Sequence, residues 1–431
     1  MKNIISLLNI SILLFFSTSF CFSQAPEIEW QKSFGGSGED KVTAVIQTTD
    51  GGFLVSGGSE SIDGDVTDNK GKLNCWILKL TDKGNVDWKK CFGGETDHQA
   101  NDIIETKDKF YVMAGRTMFK NGNETGSHGN DDYWVSKISP NQTLQWDKTF
   151  GGRADDNAKS IKQTADRGFI VAGWGNGTGY SMKRSLGGND FWVMKINIHG
   201  IIKWESTYGG SGSDEATSVI LTSDDGYAVT GYTSSNNFDV KGNHGGSDCW
   251  LLKLNNDGTK QWQKCFGGTS LDFAYSIYQT KDHGYIIGGT TASNDGDVKG
   301  NHGQSDGWVI KTDSTGTIVW QRCLGGKEND AINSIEQTRD GGYILAGSTN
   351  SKDGDVNGNH GSSDVWIVKL NEKGEIVWQK CLGGKDIDIA SSIHQTTDGG
   401  YIIGAYSKSK DGDVNANKGN FDYWLIKLKA D

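Results

Sequence analysis

Tryptophan recurs in this chain every 58 residues, in two registers. One series is Trp30, Trp88, Trp146, Trp204, Trp262, Trp320 and Trp378. The other is Trp76, Trp134, Trp192, Trp250, Trp308, Trp366 and Trp424, which leaves Trp174 as the one Trp outside both. A fixed period kept over seven copies marks a repeat architecture, in which each copy buries its apolar faces against its neighbours.

One copy can be read strand by strand. Val365–Leu370 is an apolar strand, Asn371–Gly374 a turn and Glu375–Leu382 a second strand that Gly383-Gly384 breaks. Ile389–Thr396 is a third strand with small residues, Asp398-Gly399-Gly400 a tight hairpin, and Tyr401–Tyr406 a fourth strand. Gly is abundant at 61 residues while Pro is only 2, so the glycine marks turns rather than disorder. Four short antiparallel strands per repeat make a propeller blade. The fold class expected is therefore all-β: a seven-bladed β-propeller of four antiparallel strands per blade. Glu27–Phe34 is an outer strand by itself, and the last copy lacks one, so the N-terminal strand is expected to close the ring. The small-residue strand, with Ala44, Ser160 and Ser392, is expected to line the central channel.

Residues 1–24 read as a secretory signal peptide, with Lys2 ahead of the apolar run Ile4–Phe16. Residues 25–431 form the single propeller. Bulky Phe20 before Cys21 argues against a lipoprotein site. No later segment is apolar enough to span a membrane, and a net charge of −11 argues against nucleic acid and anionic membrane surfaces. An exported monomer is expected, in the periplasm or at the cell surface.

The run Asp-x-Trp-Ile-Val-Lys-Leu, then Gly-x-Ile-x-Trp-Gln-Lys and Gly-Gly, then Thr-x-Asp-Gly-Gly-Tyr-Ile, resembles the β-propeller repeat proteins exported by Bacteroidota. The resemblance covers all of residues 25–431 and implies an exported propeller; most of that family has no assigned biochemistry. The Gly-x-Ile-x-Trp element also resembles repeats of quinone-cofactor dehydrogenases, which have more blades and a catalytic constellation not found here.

Two loops per blade should emerge on one face. In Gly-Gly-x-x-x-Asp the carboxylate is Asp40, Asp156, Asp214, Asp272, Asp330 or Asp388, with His98 standing in once. A short Asp beside a turn is expected to bind backbone N–H groups. The Thr-x-Asp of the inner hairpin (Thr338 and Asp340; Thr396 and Asp398) reads the same way. The longer loop is typified by Asp353, Asp355 and Asn357 at positions 1, 3 and 5 and Asp364 at 12, with Gly358 at 6. That spacing matches a calcium loop. Asp411, Asp413, Asn415 and Asp422 repeat it in the seventh copy, with Ala416 replacing the Gly; Asp295, Asp297 and Asp306 repeat it in the fifth. Lys299 and Lys241 at position 5 oppose a cation. The second copy is amide-rich (Asn121, Asn123, Asp132), and the third has lost the pattern. A loop held by its own side-chain-to-backbone bonds is the competing reading.

His244, His302 and His360 share one repeat position, with His128 a fourth, and lie on different blades. They read as polar contacts of the binding face. The least regular place is the third copy, with Trp174, Lys183 and Arg184. No nucleophile motif, phosphate loop or paired-carboxylate signature stands out from the repeat, so no catalytic residues are assigned. The expected function is non-enzymatic binding of a glycan or an envelope protein by repeated Asp/Asn/Gly/His loops, with calcium as the one candidate cofactor. A glycan-active or quinone-dependent enzyme and a purely structural protein are the alternatives.

Cysteine gives a last expectation. Cys75 and Cys249 precede third-strand Trp residues; Cys91, Cys265, Cys323 and Cys381 follow outer-strand ones. If Leu80 faces Val86, regular pairing puts Cys75 opposite Cys91 and Cys249 opposite Cys265. Two intra-blade disulfides or six small buried thiols are the two outcomes. Cys323 and Cys381 would face Gly307 and Val365 and stay free.

Overall fold

A computed structural model describes residues 23–70, 72–118 and 129–431. Seven sheets of four antiparallel strands follow one another around a ring. Blade 1 runs Asp40–Gln47, Phe53–Ser59, Asn74–Leu80 and Val86–Phe92, from inner to outer strand. The second and third strands are buried along their whole length, because both faces of each sheet meet a neighbouring blade. Blade 7 takes Asp388–Gln395, Tyr401–Ser407 and Asp422–Leu428 from one end of the chain and Ile28–Phe34 from the other. Gln31 pairs with Ile426 and Phe34 with Tyr423, so the N-terminal strand closes the ring as expected. No helix among the described residues is long and apolar enough to cross a membrane. The proposed signal segment lies almost wholly outside the described residues, as do His128, Asn121 and Asn123.

Both Trp series pack between blades. Trp250 lies 4.4 Å from Phe191 of the preceding blade, and Trp76 lies 4.8 Å from Tyr423 across the closure. On the outer strand, Trp262 meets Tyr285 of the next blade at 6.0 Å. The third-strand indoles donate to a side chain on their own outer strand: Trp250 to Gln263 at 2.8 Å, Trp308 to Gln321 at 2.8 Å, Trp424 to Gln31 at 2.8 Å, and Trp134 and Trp192 to Asp147 and Glu205. Blade 1 has Lys89 at that place, a donor only, and the buried Trp76 Nε1–H has no acceptor among the described residues. Lys89→Gln should therefore stabilise the fold by about 1 kcal/mol, seen as a higher Tm. An unchanged or lower Tm would show that the indole is already satisfied.

A second device was not anticipated. The third-strand lysines Lys79, Lys137, Lys195, Lys253, Lys311, Lys369 and Lys427 are all buried. Their stems run through the core, and the ammonium groups emerge at the hairpin Asp of the neighbouring strand pair. Lys253 reaches Asp224 at 2.8 Å and Lys369 reaches Asp340 at 2.8 Å. Thr222 and the Gly226 N–H also bind Asp224, at 2.5 and 3.3 Å, which bears out the turn role of Thr-x-Asp.

The disulfide expectation is corrected by register. Leu80 does pair with Val86, but an irregularity follows at once, and Lys79 pairs with Trp88. The bulge admits one extra outer-strand residue, and a one-residue slip moves each side chain to the other face. Cys91 therefore pairs with Trp76 and Cys75 with Phe92. Cys75 packs toward blade 2 near Met113, while Cys91 shares the Trp76 cluster on the other face. The same slip separates Cys249 from Cys265. It also sets Cys323 opposite Trp308 and Cys381 opposite Trp366 rather than opposite Gly307 and Val365. All six thiols are free, and burial pushes the Cys323 thiol up to about 12. Denatured, unreduced protein from residue 25 onward, which leaves out Cys21, should titrate six thiols; finding two would restore the bridged pairing.

Candidate binding face

Both loop types do emerge on one face, and they are stitched together there. The Gly-Gly-x-x-x-Asp carboxylates are internal ties. Asp272 accepts from the Gly268 N–H at 2.8 Å and from Ser293 at 2.8 Å, with Thr291 on its other oxygen. Asp40, Asp214, Asp330 and Asp388 hold equivalent sets.

The long loops tie into the same junctions. Asp353 accepts from the Lys327 N–H at 2.9 Å and pairs with the Lys327 ammonium at 2.9 Å. Asp355 accepts from the Gly325 N–H at 3.3 Å. Asp411 and Asp413 repeat this on Lys385 and Gly383, and Asp295 and Asp297 on Thr269 and Gly267. Asp364 opens the third strand, fully buried, clasped by the His360 N–H at 3.0 Å and Nδ1 at 2.6 Å. His302 clasps Asp306 and His244 clasps Asp248 in the same way, and the Lys418 N–H binds Asp422. Asn357 and Asn415 are exposed. Gly354 needs its positive φ of 67° and its missing side chain, since a Cβ would lie 2.3 Å from the Gly325 oxygen. Beneath five of these loops a valine is buried in the core (Val66, Val240, Val298, Val356, Val414), and in the sixth copy Asn359 Nδ2 ties the loop to the Thr349 and Ser351 carbonyls. These loops are built from within. Among the described residues no group of three or more His, Cys, Asp or Glu side chains gathers to hold a metal. The carboxylates at the calcium-loop spacing serve the blade junctions here.

The His244, His302 and His360 side chains stand about 40% exposed at equivalent places on consecutive blades. Burial opposes protonation of His244, but Asp248 outweighs it and raises its pKa.

Symmetry breaks elsewhere, at the mouth of the central channel. Near this face, one second-strand residue of each blade meets one inner-strand residue of the next. Tyr232 meets Phe273 at 4.7 Å, and Tyr406 meets Lys41 at 6.0 Å. By the repeat, the other junctions bring together Gly58 with Gln99, Arg116 with Asn157, Trp174 with Glu215, Thr290 with Ala331 and Ser348 with Ile389. The core positions hardly vary between copies; these do. Trp174, the Trp outside the two series, belongs to this ring, paired across strands with Asn157. Lys183 and Arg184 do not. Lys183 lies 3.6 Å from Glu205 on the outer strand. Arg184 lines a separate cavity of about 400 Å³ between blades 3 and 4, with Glu205, Tyr208, Asp239 and Lys260. The ring needs residues from two blades at once, so only the stray Trp174 signals it in the sequence.

The fold thus defines a seven-bladed β-propeller with one built face. No family model matches the chain. Over 165 residues it is 26% identical to "Regulatory protein FlaEY" of Caulobacter vibrioides, a match covering 36% of this chain and 17% of that relative. Among solved structures, Kuenenia stuttgartiensis hydrazine synthase is similar, with a TM-score of 0.52, 12% identity, and coverage of 85% of this chain and 93% of that one. The Neurospora crassa Pan2 WD40 domain has a TM-score of 0.49 at 11% identity, covering 90% and 89%. Likeness at this identity shows the fold alone, since propellers host many functions.

Proposed function

We propose that this chain is an exported, non-enzymatic binding propeller of the kind its repeats resemble, which presents its loop face to a glycan or an envelope protein. The observation that carries this is the equivalent placing of three half-exposed imidazoles, each locked by its own buried Asp, on blades 4, 5 and 6. Pre-organised, repeated groups bind with little ordering cost, and weak sites on one rigid ring add through effective concentration. A glycan array and an envelope-fraction pull-down test it. Binding should fall sharply when His244, His302 and His360 are all changed to Gln. Retention of nothing by the parent, or equal retention by the triple variant, would defeat the reading. Any calcium taken up by the sixth loop must displace Lys327 from Asp353 and His360 from Asp364. Repeating the screen and the Tm measurement with calcium covers this: a rise only at millimolar metal, blunted in Asp353→Ala/Asp355→Ala, supports it, and a flat titration removes calcium from the reading.

A further inference from the structure

The channel mouth carries two donors that the fold leaves wholly or partly unsatisfied. In five blades the bulge residue of the inner strand crosses to a main-chain carbonyl of the next blade. Thr43 reaches Ala100 at 2.8 Å, Asn101 reaches Ala158 at 2.7 Å, Thr217 reaches Ala274 at 2.9 Å, Asn333 reaches Ala390 at 2.9 Å and Ser391 reaches Val42 at 2.8 Å. Blade 3 has Lys159 at this position, and blade 5 has Tyr275. The Lys159 ammonium comes within 3.3 Å of the Asn157 amide oxygen in one orientation of that amide, and has no ion-pair partner among the described residues. Burial lowers its pKa. Glu215, the carboxylate nearest in the ring, is committed to Asn189 at 2.8 Å. The Trp174 Nε1–H is likewise buried with no acceptor among the described residues. Arg116, on the neighbouring blade, is held at 2.6 Å by Asp131.

An indole N–H with no acceptor beside an ammonium held by a single neutral amide oxygen suits an anionic acceptor. Beside them runs an aromatic arc of Trp174, Tyr232, Phe273 and Tyr275, with Phe273 and Tyr275 stacked at 6.5 Å. The opposite arc is small, with Thr290, Ala331 and Ser348, which leaves room over the aromatic side. Aromatic faces suit the C–H face of a pyranose, and the Gln99 amide nitrogen suits its hydroxyls. The whole chain is acidic, at −11, so attraction for an anion must be local to this mouth.

We infer that the channel mouth over blades 2 to 5 binds a carboxylated saccharide, with Lys159 and Trp174 donating to the carboxylate and the aromatic arc carrying the sugar ring. The inference rests on the binding-propeller reading and adds a site distinct from the histidine loops. A lysine kept for stability would lower the Tm when removed. This one should not, because it makes no ion pair among the described residues and burial outweighs the pull of Glu215 on its charge.

Calorimetry of the chain from residue 25 onward, with a galacturonate trimer as probe and the neutral galactose trimer as control, tests the site. The acidic trimer should bind at least about tenfold tighter than the neutral one, and less well at high salt. Lys159→Met and Trp174→Phe should each weaken it by about tenfold or more, while Lys159→Met keeps or raises the Tm. The His244/His302/His360 triple variant should bind the acidic trimer like the parent. Equal affinity for both trimers, no binding of the acidic one, or unchanged affinity in both single variants would overturn the inference. Poly-glutamate binding as tightly as the acidic trimer would also overturn it, in favour of an acidic peptide. Parent-like trimer binding with no ligand on the histidine loops would sink the loop-face reading alone.

Discussion

Deleting residues 25–34 is expected to abolish cooperative unfolding. The cut removes the outer strand of blade 7 and leaves the strand Asp422–Leu428, with its unpaired N–H and C=O groups, at an open edge. Trp424 loses the Gln31 acceptor of its indole, and Lys427, whose stem is buried, loses Glu29 at 3.2 Å. Trp30 and Phe34 leave the cluster shared with Phe53, Trp76 and Tyr423. Two aromatic side chains plus the ladder are worth on the order of 5 kcal/mol or more, against a total stability of about 5–15 kcal/mol. Aggregation through the exposed edge should follow, seen as loss of a single thermal transition and of the parent's peak in size-exclusion chromatography. Moving residues 25–34 to the other terminus should rescue the fold. The Lys429 N–H already meets the Glu27 carbonyl at 3.0 Å, so a short turn can join the two strands as in the other blades. A truncated chain as stable as the parent, or a permutant no better than the truncation, would contradict ring closure by this strand.

Ring closure was legible because it depends only on counting strands between Trp positions, and the turns that bound them are written in Gly and Asp-Gly. The blade order was legible for the same reason. The cysteine pairing was not. It turns on one bulge beside Lys79, and nothing in Leu80–Val86 announces that the next pair will slip. The third-strand lysine misleads in a related way. A lysine in an apolar strand looks like a solvent-facing break, yet Lys369 is buried and reaches outward along its stem to Asp340. At the candidate site, the Asp-Gly-Asp spacing was visible, but its carboxylates spend their oxygens on Gly325 and Lys327, partners about 26 to 30 residues away in sequence. The channel-mouth ring stayed hidden because Arg116 and Trp174 share one repeat position, Lys159 and Glu215 hold two others, and the four lie on three blades. Only the turn of the ring brings them together.

Stability should peak near pH 4 and fall on both sides, a consequence of two carboxylate sets with opposite shifts. The first set sits at the blade junctions. The Asp that opens a third strand stands beside the Asp that opens the next inner strand. The two straddle a glycine: a Cβ on Gly383 would lie 2.6 Å from Asp388 Oδ2 and 2.9 Å from Asp364 Oδ1. Burial, then the like charge of the partner, pushes Asp190 beside Asp214 and Asp422 beside Asp40 up to about 6. Burial also takes Asp156 to about 7 and raises Asp248, Asp306 and Asp364 despite their histidines. An unfolded Asp titrates near 3.9. Between about pH 4 and 7 the folded state therefore holds more protons than the unfolded chain, and stability falls as pH rises. The second set is the hairpin carboxylates. Burial opposes their ionisation, but the Thr, Lys and backbone donors outweigh it and hold Asp50, Asp166, Asp224 and Asp282 at about 2. Their contribution is complete above about pH 4 and is lost as pH falls toward 2, and it is muted because these side chains are half exposed or more. Thermal unfolding from pH 2 to 8 should trace this maximum. Asp190→Asn isolates the junction arm. Its amide oxygen can still accept from the Leu186 N–H, and the new NH₂ replaces Oδ1, a buried oxygen with no donor among the described residues. The variant should gain Tm at pH 7.5 and almost nothing at pH 4. A parent whose Tm rises steadily from pH 4 to 8, or an equal gain for Asp190→Asn at both pH values, would show that the junction carboxylates are ionised in the folded ring.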